Sequence, residues 1–76
     1  MDTILNYALR IVHHGSDKDI AAVVEHAEYV KARKPGGKRH YRDFYAALRN
    51  NELTLSPRDQ DAVAEQVARL TAERVR

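Results

Sequence analysis

A chain of 76 residues with 13 basic and 11 acidic side chains and no Cys has room for one small domain, residues 1–76, burying roughly 60% of the surface its unfolded chain exposes. The missing Cys excludes disulfide stapling, thiol nucleophiles, redox chemistry and zinc knuckles, and no apolar run approaches the roughly 20 residues of a membrane span. The net charge of +2 is unevenly spread, with residues 1–30 at −3, 31–49 at +6 and 50–76 at −1, which points to an anionic partner for the middle of the chain.

Helical period and punctuation predict an all-α, four-helix bundle. The first helix runs from about Thr3 to His14, with Asp2 as N-cap and Gly15 as left-handed terminator. Its start carries Asp2 and Arg10 and no basic leader, unlike a signal peptide, so the expected setting is soluble and cytoplasmic. Ser16 caps the second helix, whose stripe is Ile20, Val23, Val24, Ala27 and Val30, and which ends at Pro35 with Lys31, Arg33 and Lys34 in the last turn. Pro35, Gly36 and Gly37 form a flexible joint. A third helix, near His40 to Asn50, is marked by Tyr41, Phe44, Tyr45 and Leu48 at i, i+3, i+4, i+7, but lacks a cap. Leu53 and Leu55, in a connector, can plug the end of the core. Ser56 followed by Pro57 opens the fourth helix, with a thin stripe of Val63, Ala64, Val67, Leu70 and Thr71 and basic Arg69, Arg74 and Arg76 near its end. The expected core is Leu5, Leu9, Val12, Ile20, Val24, Ala27, Phe44, Leu48, Val67 and Leu70.

Catalytic constellations are absent from this pattern. The segment from Pro35 to Arg39 lacks the earlier Gly of a phosphate loop and has Arg39 where Ser or Thr would hold magnesium. Ser16 and Ser56 sit where caps belong rather than where a nucleophile is activated. His13 and His14 point about 100° apart on a helix, and His26 has no partner at a zinc-site spacing. No metal, cofactor or enzymatic activity is therefore expected.

Three surfaces can bind. At 100° per residue, Arg39, Arg42 and Arg49 share one side of the third helix opposite its aromatic stripe, and Lys34, Lys38 and His40 extend that ridge from the loop. It is either a phosphate-contacting face or a solvated one balanced by the acidic second helix. Tyr29 points away from the apolar stripe with Glu25 and Arg33 one turn either side, so it is a contact residue or lies under the loop of residues 35–40. The first helix is apolar over a wide arc, because Ile4, Tyr7 and Ile11 continue the stripe of Leu5, Ala8, Leu9 and Val12. Such a helix is central in the bundle or forms a self-association patch that would make a homodimer. The function expected is that of a small regulatory or inhibitory protein docking helical faces, with the basic segment steering it, onto a larger protein partner. The rival expectation is DNA or RNA binding by residues 31–49, as a dimer.

Overall fold

Ser16 Oγ accepts a hydrogen bond from the Asp19 amide at 3.1 Å, and Ser56 Oγ accepts one from the Asp59 amide at 3.3 Å. Both serines thus open helices by satisfying amides of the first turn. In the computed structural model, which describes residues 3–74, α2 is Asp17–Ala32 and α4 is Pro57–Arg74, with α1 at Thr3–His14 and α3 at Lys38–Asn50. Among the described residues there is no strand, and no helix is long and apolar enough to cross a membrane. The expected cap Asp2 and the terminal Arg76 lie outside the described residues.

The helix ends differ from expectation in an instructive way. Helix α2 stops before Pro35 because Arg33 turns left-handed at φ 56°, ψ 39°. The Arg33 amide then donates to the Val30 carbonyl at 3.1 Å and the Lys34 amide to the Tyr29 carbonyl at 3.0 Å, the paired bonds of a Schellman motif. Helix α3 closes similarly, with Glu52 at φ 58°. The Glu52 amide donates to Arg49 and the Leu53 amide to Leu48, both at 2.9 Å. Gly15, by contrast, is not left-handed. It is needed for close approach, since a Cβ there would stand 2.5 Å from the Ile11 carbonyl oxygen. Helix α3 begins at Lys38, two residues earlier than expected, on Gly37 with no side-chain cap.

Helix α1 packs on α4, α4 on α2 and α2 on α3, with only slight contact between α1 and α2. The order in space is therefore α1, α4, α2, α3, and α1 is peripheral rather than central. Its inward face is the arc assigned above to self-association: Ile11 is fully buried, and Ile4 and Tyr7 are half-buried against the core. Leu5 and Leu9, expected in the core, are only half-buried. At 100° per residue Leu5 and Leu9 lie on one edge of the arc centred on Ile4, Ala8 and Ile11, so the rotation of α1 that buries Ala8 and Ile11 in its packing on α4 leaves both Leu side chains at the rim. Elsewhere the core holds Val12, Ala27, Phe44, Leu48 and Val67 as expected, together with Ala8, Val23, Ala47 and Leu53. Ile20, Val24 and Leu70 pack around it, half-buried. Val30, expected on the inner stripe of α2, is 38% exposed, and His26 occupies the core beside Val23 and Ala27.

Candidate docking site

A polar side chain on an apolar face must find partners when buried, and His26 finds two on two other helices. Its Nε2–H donates to Asp61 Oδ1 of α4 at 2.7 Å. The carboxylate favours the tautomer with the proton on Nε2, in which Nδ1 accepts from His40 Nε2–H of α3 at 2.8 Å. The two imidazoles are nearly coplanar, 9° apart with centroids separated by 5.0 Å. Phe44 lies parallel to His26 with centroids at 3.8 Å, and Tyr29 and Tyr41 pack on His40 at 4.5 Å and 5.0 Å. Burial lowers the pKa of His40 from its ordinary value, and His26 lowers it further, while Glu25 and Asp43 act in the opposite sense. The tie from Asp61 through His26 to His40 locks the α2–α3 pair onto α4.

This tie forms part of the floor of a cleft of about 420 Å³ between the C-terminal half of α2, the face of α3 bearing Tyr41 and Tyr45, and the start of α4. Tyr29, Val30, Tyr41, Tyr45 and Pro57 supply apolar surface, and among the described residues Tyr45 (43% exposed) and Val30 (38%) are the large apolar side chains most open to solvent. Arg33 and Lys34 stand at its edge, both exposed. Neither forms an ion pair among the described residues. The Asp61 side chain remains half exposed in the cleft although its Oδ1 is engaged.

The expected site residues are thus divided among three places. Tyr29, Arg33 and Lys34 are brought together at the cleft, with Tyr29 half-buried against His40 beside the loop that follows α2. Arg39 and Arg42 project from α3 but both reach back to one carboxylate, Asp43, at 3.9 Å and 3.6 Å. Lys38 begins α3 and Arg49 lies in its last turn, both exposed, on the order of 16 Å apart along the axis. His40, placed on the basic ridge above, is instead buried at 7% exposure. Ring packing on its neighbours outweighs exposure once its Nε2–H is satisfied. Gly36 packs directly against that ring, where a Cβ would stand 2.0 Å from His40 Cδ2. Within the joint of Pro35 to Gly37 only Gly36 is closely packed, Pro35 and Gly37 being exposed, and neither glycine takes positive φ.

The sequence reading missed His26, His40 and Asp61 as a unit. The signal was present: His26 lies three residues after Val23 on the apolar stripe, and His40 four before Phe44 on the aromatic one. A larger hollow of about 670 Å³ lies between α1 and the end of α3, but its polar lining is largely engaged internally. Arg10 pairs there with Glu52 at 3.2 Å, and Asn51 Nδ2 donates to the Ala47 carbonyl at 2.9 Å and to Asp19 at 3.3 Å. Among the described residues no group of three or more His, Asp and Glu could hold a metal ion. No family model matches this chain, and no curated protein or solved structure matches it either.

Proposed function

We propose that this chain is a small non-enzymatic regulatory or inhibitory protein that acts in the cytoplasm by docking the cleft between α2, α3 and α4 onto a larger protein. The observation that carries this reading is the meeting of exposed Tyr45 and Val30 with Arg33 and Lys34, cations without an ion pair among the described residues, at one concave place. Aromatic and Arg side chains are enriched at protein interfaces and among the residues that carry most of the binding energy. Supporting the non-enzymatic part, the Asp61–His26–His40 tie has no nucleophile bonded to it among the described residues, and both serines serve as helix caps. A nucleic-acid role draws less support, because Arg39 and Arg42 converge on Asp43 instead of offering a track of uncompensated charge.

Affinity capture with nuclease treatment tests the reading. A protein retained by the wild type after nuclease, and lost with Tyr45→Ala, is the expected result. Steeply salt-dependent binding to generic duplex or single-stranded DNA, with no protein retained, would replace docking with nucleic-acid binding.

A further inference from the structure

We infer that the cleft between α2, α3 and α4 takes an acidic peptide segment bearing one large apolar side chain. The inference rests on the docking reading above and names the chemistry of its partner. Three features of the cleft define that chemistry. Its apolar walls, Val30, Tyr41, Tyr45 and Pro57, form a seat for a single apolar anchor rather than for an extended hydrophobic face, given a volume of about 420 Å³. Its edge carries Arg33 and Lys34 without carboxylate partners among the described residues. Its floor exposes about half of the Asp61 side chain.

The cations and the carboxylate ask for different things from one ligand. Arg33 and Lys34 complement carboxylates, Arg in bidentate fashion. Asp61, with Oδ1 already accepting from His26, offers its other oxygen only as an acceptor. A peptide meets both demands, because its side chains bring negative charge to the edge while its backbone N–H groups reach the floor. A phosphodiester backbone brings acceptors only, and Asp61 repels it.

The backbone that carries the cation at position 33 is itself fixed. Arg33 sits at φ 56° in the turn that ends α2, closed by bonds to Tyr29 and Val30. Non-Gly residues are uncommon in that conformation, and strained positions gather where binding groups must be aimed.

The experiment titrates isotope-labelled protein at low salt with three synthetic peptides of one design: Phe and Leu flanked by pairs of Glu, the same core flanked by Gln, and the same core flanked by Lys. Oligothymidine is the fourth probe. The acidic peptide is expected to shift the amides of Val30, Arg33, Tyr41, Tyr45 and Gln60. It should bind about tenfold tighter than the Gln peptide, as two modest charge contacts imply. Arg33→Gln with Lys34→Gln should erase that tenfold preference, Tyr45→Ala should weaken both peptides about fivefold or more, and Arg49→Gln should change nothing. Tyr45 is exposed enough for its variant to fold, which the amide spectrum itself reports. Equal or tighter binding of the Lys peptide, or shifts of the same amides by oligothymidine alone, would overturn the acidic-segment inference and leave the cleft as a docking site for another ligand. No shift at the cleft with any of the four probes would overturn both the inference and the docking reading.

Discussion

Two imidazole nitrogens facing each other at 2.8 Å have room for one proton between them, so the His26–His40 bond does not survive with both rings charged. His40 also has a lowered pKa, chiefly from burial and then from His26, against the opposing pull of Glu25 and Asp43. Above the ordinary value of 6.5 the ring is neutral folded or unfolded, and its contribution to stability is fully present. As pH falls below 6.5 the unfolded chain takes up the proton first, so stability declines until the folded ring titrates at its lower pKa and the loss levels off. Urea midpoints measured from neutral to mildly acidic pH should fall across that window in the wild type and flatten in His40→Gln. An unchanged slope in the variant would assign the decline to other groups. The cover over this ring is equally exacting. Gly36→Ala puts a Cβ 2.0 Å from His40 Cδ2 and should cost about 1–3 kcal/mol, the range for forced overpacking. Phe44, fully buried against His26, should cost roughly 3–5 kcal/mol as Phe44→Ala, read from the same urea curves.

Left-handed residues end α2 and α3, and both carry side chains that glycine would relieve. Arg33→Gly should raise stability by about 1 kcal/mol, since a Cβ in that conformation costs roughly 1–2 kcal/mol and the more flexible unfolded chain returns part of it. The gain from Glu52→Gly should be smaller, because it also deletes the exposed pair with Arg10. Thermal melts of the two variants check the order. A loss of stability in Arg33→Gly would show that the side chain holds the turn closed and is not strained by it. Much of this was legible beforehand: the serine caps, the aromatic stripe of α3 and the connector residues Leu53 and Leu55 all sit where period and punctuation put them. What was illegible depends on other elements. On α1 seven apolar residues span too wide an arc for period alone to choose a face, and packing on α4 made the choice. The histidine tie joins residues 14 and 35 positions apart, a separation that no local pattern encodes.

Across the whole molecule, the burial of Ile11 changes what a test of self-association must use. Ile11→Glu places a carboxylate at a fully buried site and should unfold the chain, since an unpaired buried charge is the costliest of single substitutions. Loss of the cooperative melt is the expected outcome, and a folded Ile11→Glu protein would contradict the packing described. Ile4→Glu and Leu9→Glu, at half-buried positions of α1, are the variants whose sedimentation reports on a second copy. The row α1, α4, α2, α3 also sets a schedule for synthesis. Helices α2 and α3 are joined by a short loop and can pair as soon as both exist, whereas the main support of α1 is α4, made after both of them. Helix α1 therefore waits, with Ile4, Tyr7 and Ile11 uncovered, until α4 has emerged, and that interval is when the nascent chain most needs a chaperone.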